Sequence, residues 1–493
     1  MTTLLLTGCM VGPKYHAPPA SASATAPPVT YKESTTQFQD TDGWKVAQPQ
    51  DAMLHGKWWE IYNDPELNAL EDKLNIDNQN IKQFFENFMT ARTLIAEARA
   101  QLYPTVAASA SYTRSRSSSN LGTSSIANTG HESSVGSGLV DVSWAPDLWG
   151  RVRNLIHEQQ YNAQLSAADL ENERLTEQAS LAAFFFEIRG QDALQRLLND
   201  TVAADTKALD LARARYETGI DDRLSVVAAE ATLQAVQSQA INLGVARAQF
   251  EHAIAVLVGA NPSQFSIPVK PVLTDPPPVP VGMPSALLER RPDIAGAERR
   301  MAAANAQVGI AYAAYYPALN LSTSGGFESS TFKHFFDWPS RFWSIGPSLS
   351  ETVYDGGLRR ATVNQFITTY NADVATYRQT VLTAFQQVED SLASVRILSQ
   401  QILKQQQAEQ SSEEALKLET ARYETGVDPY LLVVTAQTTL LSNQETLTNL
   451  HVLEMTASVQ LIEALGGGWD LSQLPTPQQV SKKLDKTETT IEK

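Results

Sequence analysis

Ala421–Arg422–Tyr423–Glu424–Thr425–Gly426–Val427–Asp428 is a near-copy of Ala214–Arg215–Tyr216–Glu217–Thr218–Gly219–Ile220–Asp221. In both, a long helical pattern runs in and stops at a glycine able to take the left-handed conformation that ends helices. A second pattern then runs out after an Asp suited to N-capping. Each copy reads as the tip of a helical hairpin. The match continues downstream, where Leu224, Val226, Val227, Ala229 and Leu233 are answered by Leu431, Val433, Val434, Ala436 and Leu440. The chain is therefore an internal duplication.

The patterns feeding the tips are longer than a compact domain can use. Leu358 to Glu424 contains no proline and no glycine, and at 1.5 Å per residue it makes roughly 100 Å of unbroken helix. The first-half arm, from about Arg151 to Glu217, is interrupted only by Gly190. Leu, Ala, Gln and Glu dominate both arms, and apolar residues recur every three or four positions (Leu194, Leu197, Leu198, Val202, then Leu209, Ala212, Tyr216). Helical pattern alone leaves a coiled-coil rod or spacer open. What lies at the far end of the hairpins argues against it.

Helical pattern from about Trp58 to Leu102, with an N-cap signal at Asn63–Asp64–Pro65–Glu66, ends at Tyr103–Pro104. Thr105 to Thr113 then alternates small, polar and apolar residues, Arg114 to Ser134 reads as a loop, and Val135 to Trp144 alternates again. The second half repeats the plan: helix from Pro292 to Tyr316, Pro317, a strand-like Ala318 to Phe327, a loop, and Phe342 to Val353. Asp147 and Gly150, and Asp355 to Gly357, mark the strand-to-helix crossovers. Strands of about ten residues suit a tilted bilayer crossing. In the last, Trp343, Ile345, Pro347 and Leu349 share one face and Ser344, Gly346, Ser348 and Ser350 the other. Tyr112, Trp144, Phe327, Trp338, Phe342 and Trp343 fall near expected strand ends, where interfacial aromatics sit. Four strands cannot close a barrel, and an open edge in lipid is forbidden, so membrane insertion demands several copies.

Composition narrows the partners. A net charge of −16 argues against nucleic acid, and a single cysteine precludes an internal disulfide framework. No window of eighteen apolar residues supports a transmembrane helix. A membrane is therefore met through a lipid or a closed β-barrel. The cysteine follows Leu4–Leu5–Leu6–Thr7–Gly8, the form of a bacterial lipobox, which makes Cys9 the expected lipid-bearing residue. The short segment before it, with no basic residue, reads as a truncated signal. The Pro/Ala/Ser/Thr-rich stretch from Pro13 to Pro49 reads as an extended arm.

These residues resemble the outer-membrane factor (TolC-like) channels of Gram-negative efflux pumps, in their NodT-like lipoprotein branch. The resemblance spans nearly the whole chain. It rests on Cys9–Met10–Val11–Gly12–Pro13–Lys14–Tyr15, on Leu287–Leu288–Glu289–Arg290–Arg291–Pro292–Asp293–Ile294, on Ala297–Glu298–Arg299–Arg300 with Ala302–Ala303–Ala304–Asn305, and on the paired tips. It implies a mainly α fold with membrane β: duplicated long coiled-coil hairpins forming a periplasmic α-barrel, plus four strands per chain in a twelve-stranded barrel shared by a homotrimer. It also implies a passive exit channel for drugs, dyes, solvents or metal ions, docked to a periplasmic adaptor (membrane fusion) protein and an inner-membrane transporter, most often of the resistance-nodulation-division type. The corresponding division is a truncated signal (1–8), a lipid-anchored arm (9–60), a first helical part (61–103 and 147–291) around a β-hairpin (104–146), a second (292–316 and 357–468) around another (317–356), and a C-terminal tail (469–493).

The tips are the expected gate and docking site. Val427, Leu431 and Thr435 fall at i, i+4 and i+8 on one helix face, which the resemblance places on the tunnel axis, three copies of Leu431 making an apolar constriction. Many relatives carry an acidic residue where Thr435 stands. Asp428, Asp221 and Asp222 are the carboxylates near the mouth; acidic rings favour cations, and simple helix capping by Asp428 and Asp221 is an equal reading. Arg215 and Arg422, each two residues before Glu217 and Glu424, are placed to tie neighbouring hairpins or contact the adaptor, or to stand as solvated charges. Gly219 and Gly426 belong to the turns. The seven histidines are scattered without ligand spacing, so no metal site, no cofactor beyond the lipid and no enzyme is expected. Gly466–Gly467–Gly468 reads as a helix stop, and Lys482 to Lys493 as a charged tail. Two other readings compete: the same channel serving type I protein secretion, and a periplasmic coiled-coil adaptor or scaffold, which would show one hairpin rather than two.

Overall fold

A computed structural model of the chain describes residues 10–20, 31–33, 56–116, 118, 132–271, 275–279 and 287–482. Cys9 and residues 483–493 lie outside this set. In chain order the elements are α1 (Pro65–Asp77), α2 (Gln79–Ala100), β1 (Thr105–Arg116), β2 (Glu132–Trp144), α3 (Arg151–Glu217), α4 (Arg223–Leu257), a single turn α5 (Leu287–Arg290), α6 (Pro292–Ala313), β3 (Ala318–Ser329), β4 (Arg341–Ser350), α7 (Leu358–Glu424), α8 (Tyr430–Ala464) and a short α9 (Pro477–Val480). The duplication is visible element by element. α3 and α7 have 67 residues each, α4 and α8 have 35, and α2 and α6 have 22.

Each long helix folds back on its partner, α3 on α4 and α7 on α8, while α6 packs between α3 and α7 and α2 lies along α3. Buried Ala302, Ala303, Ala304, Ala306 and Ala311 let α6 approach both long helices closely. The core is strung out along the rod. One cluster joins Trp58, Leu67 and Leu74 to Phe185, Ile188, Ile254, Val459 and Ile462; a second joins Ile294 and Met301 to Val381, Val388 and Leu461. Arg291 explains part of the Arg–Arg–Pro–Asp motif: it grips Asp293 and donates to the carbonyl of Ala464 at 3.0 Å, closing the C-terminal end of α8.

The helix expected across residues 58–102 is broken. A 3-10 turn, Trp58–Tyr62, leads into α1, which Asp64 caps through the amides of Glu66 and Leu67. Asn78 is extended between α1 and α2, caps α2 through the Ile81 amide and reaches the Leu257 carbonyl at 2.9 Å. Its short amide side chain offers the backbone an alternative to continuing the helix.

The four strands form one antiparallel sheet in the order β1-β2-β3-β4. They run further than the alternation suggested. The stretch read as a loop from Arg114 is still paired, Arg114 opposite Ser134 and Arg116 opposite Glu132, because an Arg114–Glu132 ion pair at 2.9 Å and a Ser115–Ser133 hydroxyl bond extend the ladder. Tyr112 therefore sits within β1, opposite Gly136, rather than at its end. β4 stops at Ser350, short of Val353. Trp343, Ile345 and Leu349 stand about three-quarters exposed on one face of β4, and among the described residues the outer edges of β1 and β4 have no strand partner.

Crossovers from sheet to rod are built alike. Asp147 accepts the amide and Nε of Arg153 at 3.0 and 3.1 Å, and Asp355 those of Arg359 at 3.1 and 2.7 Å. Trp149 donates to the Pro317 carbonyl at 2.8 Å and stacks on Tyr316, joining the two halves below the sheet. The N-terminal arm is docked along this region: Val11 exchanges bonds with Trp149 and Asn154, Asn305 holds the Pro13 carbonyl, Tyr15 donates to Glu298, and Tyr31 is buried. The first part of the segment set off as a C-terminal tail from residue 469 is docked on the rod. Trp469 and Val480 are buried, Thr476 and Gln479 form a capping box, and Arg99 and Gln164 hold the carbonyls of Ser481 and Pro475. Buried apolar side chains and satisfied carbonyls fasten it to α2 and α3.

Gly190 does not interrupt α3, because there α3 and α8 touch: a Cβ would stand 2.3 Å from Cγ2 of Val452. Gly190→Ala should lower stability by about 1–2 kcal/mol, an overpacking cost. In a Val452→Ala background the same change should stabilise by up to about 1 kcal/mol, since only the helix-propensity gain is left. Thermal unfolding in detergent checks both signs.

Glu71 in α1 is fully buried, and among the described residues neither carboxylate oxygen has a hydrogen-bond partner. Burial, and then the charge of Asp72, push its pKa well above the ordinary 4.5. The folded state thus prefers the protonated acid; this contribution is full below the unfolded value and is lost as pH rises through the folded one. Glu71→Gln should raise the unfolding temperature at pH 7.5 and narrow its difference from pH 5, as read by parallel melts.

Candidate functional site at the helical tips

The repeated Arg–Tyr–Glu–Thr–Gly folds the same way twice. Gly219 and Gly426 take φ of +76° and +77°. The next amide reaches back to the Arg carbonyl (Ile220 to Arg215, Val427 to Arg422, both 2.9 Å), and the glycine amide to the Tyr carbonyl (3.0 and 2.9 Å). This is a Schellman closure, and it needs a residue free to adopt positive φ. The Thr218 and Thr425 hydroxyls each donate to a carbonyl one turn back, at 3.0 Å.

The aspartates do not cap as the sequence suggests. Asp222, not Asp221, caps α4, accepting the Ser225 amide at 3.1 Å, and α8 begins after Pro429 with no side-chain cap. Asp221 and Asp428 instead fold back onto the arginines six positions earlier, Asp221 on Arg215 at 3.2 Å and Asp428 on Arg422. A charge-assisted bond to a guanidinium outweighs a cap bond to a neutral amide. Arg422 holds the Asp428 carboxyl below the usual carboxylate range.

The two tips of one chain are fastened to each other. The Arg215 guanidinium donates to the Glu424 carbonyl at 3.0 Å and lies 4.6 Å from the ring centroid of Tyr423. The Tyr423 hydroxyl donates to Asp221, and the ring, 2% exposed, packs 5.2 Å from Tyr430 over Leu209, Ala212, Ala229 and Val433. Burial, followed by the bond to Asp221, pushes the Tyr423 phenol up, so the hydroxyl stays a donor. Sequence reasoning missed Tyr423 and Tyr430. The signal available was the tyrosine inside the repeated motif.

Equivalent residues of the two repeats are not in equivalent surroundings. Arg422 is 56% exposed at its side chain and bonds only its own Asp428 among the described residues, whereas Arg215 is 15% exposed. Tyr216, the counterpart of buried Tyr423, is exposed. Glu217 and Glu424 are exposed, with no side-chain partner among the described residues. Leu431, at 66%, and Thr435 share an exposed face of α8, and the Thr435 hydroxyl is turned back onto the Leu431 carbonyl at 2.9 Å, whereas Val427, expected on the same helix face, is exposed in the turn before α8 begins, because its amide closes the Schellman motif onto Arg422. Ile220 and Leu224, their first-repeat counterparts, are as exposed and were not singled out from sequence, although the duplication pointed to them.

Comparison with known proteins agrees with this geometry. The family model for outer membrane efflux proteins matches residues 72–260 and 283–467. The outer membrane protein OprJ of Pseudomonas aeruginosa is 32% identical over 456 residues, covering 90% of this chain and 92% of OprJ. ArpC of Pseudomonas putida, named as an antibiotic efflux pump outer membrane protein, is 28% identical over 488 residues, 99% of this chain and 98% of ArpC. Among solved structures, the outer-membrane channel OprN superimposes with a TM-score of 0.82 at 25% identity, over 94% of this chain and 100% of that one. These relatives are channel and efflux proteins rather than enzymes. The chain belongs to the outer membrane efflux protein family, and its place is the outer membrane.

Proposed function

We propose that three copies of this chain form one passive exit duct of a tripartite efflux pump, with a twelve-stranded barrel in the outer membrane and the paired helical rods as its periplasmic tunnel. The observation that carries this reading is the open four-stranded sheet with an exposed apolar face on β4. Each unpaired backbone group in hydrocarbon costs several kcal/mol, so β1 of one copy must pair with β4 of the next. Rods of 67 residues, about 100 Å, supply the reach towards the inner membrane. In this reading the tips contact a periplasmic adaptor, an inner-membrane transporter of the resistance-nodulation-division type drives export, and a lipid on Cys9 anchors the arm whose docked part begins at Met10.

The asymmetry of the tips supports the same closure. Within a chain, the first tip's Arg215 reaches the second tip's Glu424, and the second tip's Tyr423 reaches the first tip's Asp221. Turning this relation forward by one repeat brings Arg422 and Asp428 against Glu217 and Tyr216 of the adjacent copy. The exposed Leu431 side chains then converge on the axis below.

Native mass spectrometry of the detergent-extracted species should give three chains; a lone subunit sinks the reading. In planar bilayers, Leu431→Ala should raise single-channel conductance, and an unchanged conductance removes Leu431 from the constriction. Arg422→Ala and Tyr216→Phe should each raise the open fraction several-fold. The pair together should do no more than either alone, as expected for two ends of one contact; additive effects count against a seam between copies.

A further inference from the structure

The linker between the repeats is held in stages. Asp192 accepts the Lys270 amide at 2.9 Å and Arg247 donates to the Ile267 carbonyl at 2.8 Å, which fastens residues 267–270 to α3 and α4. Further on, Asp275 lies beside α8, where His451 and Glu454 stand one turn apart. One donor atom from each of the three falls within 4.8 Å of the other two, and His451 Nδ1 is 3.6 Å from Asp275 Oδ1.

We propose that Asp275, His451 and Glu454 bind a divalent transition-metal ion of the zinc class, which clamps the inter-repeat linker onto α8. Glu454 is the second, independent observation. It is 7% exposed, yet among the described residues its carboxylate has no hydrogen bond and no ion pair, and it points at the other two donors. An imidazole nitrogen and two carboxylate oxygens suit zinc and its neighbours rather than calcium or magnesium, which ask for six or more oxygens. Bonds of about 2.0–2.2 Å in a tetrahedral site set donors about 3.3 Å apart, so the His451–Asp275 pair is nearly in place. Asp275 is open to water, which supplies the fourth ligand. Pro276, Pro277 and Pro278 stiffen the strap behind Asp275 and lower the cost of ordering it. Sequence spacing hid the site, because its third donor, Asp275, comes from the inter-repeat linker, far in sequence from His451 and Glu454.

Full-length protein in detergent, stripped with a chelator, is titrated with zinc chloride in a calorimeter. One ion per chain is expected. Asp275→Asn, at an exposed position with no packing role, and His451→Ala should each weaken binding by roughly tenfold or more, whereas His334→Ala, in the separate His334–Asp337 pair, should leave it unchanged. Cobalt loading should give visible absorption that His451→Ala abolishes. The proposal is overturned if no site tighter than millimolar is found, if Asp275→Asn binds as the parent does, or if the cobalt spectrum survives in His451→Ala.

Discussion

Among the described residues, the backbone amides and carbonyls along the outer edges of β1 and β4 have no strand partner within one chain, and hydrocarbon offers none. Much of the molecule answers to this constraint. A sheet of four strands with an apolar face can enter a bilayer only as part of a closed cylinder, and closure by neighbours requires those neighbours to be identical and in register. In the proposed assembly the rods below would then pack side by side around the same axis. Their cores are strung along the length, with Ala-rich α6 packed between α3 and α7.

Much of this was legible in the amino-acid order because the duplication did the work of an alignment. A glycine preceded by Arg–Tyr–Glu–Thr at two places told that the helices end there. The absence of proline between Leu358 and Glu424 told how far they run, and both long helices end where that reading put them. The sheet was read less well. Ser115 and Ser133 look like loop residues, yet they face each other across a ladder whose cross-strand bonds are worth more than local preference. Asn78 was unreadable as a break for the converse reason: its partner, the Leu257 carbonyl, lies far away in sequence.

At the tips, local chemistry was visible but its direction was not. Arg215, Arg422, Asp221 and Asp428 were all picked out by the repeat, and a cap was the natural reading for an aspartate before a helix. Only the fold shows that each guanidinium sits within reach of the aspartate six residues on, and that one arginine of the two is enclosed while the other is open. Two copies of one motif came to differ because a hairpin has two sides and only one of them meets its own sibling.

That one-sidedness bears on the shape of the mouth. In the proposed ring of three chains, six hairpins would meet at six seams, three spanned by the enclosed Arg215–Tyr423 cluster seen within one chain and three by the open Arg422 side. The enclosed seams are welded by a buried ring, while the open ones rest on exposed charge that salt can screen. In that proposed ring the hairpins would swing in pairs, and the aperture would dilate as a triangle rather than a hexagon.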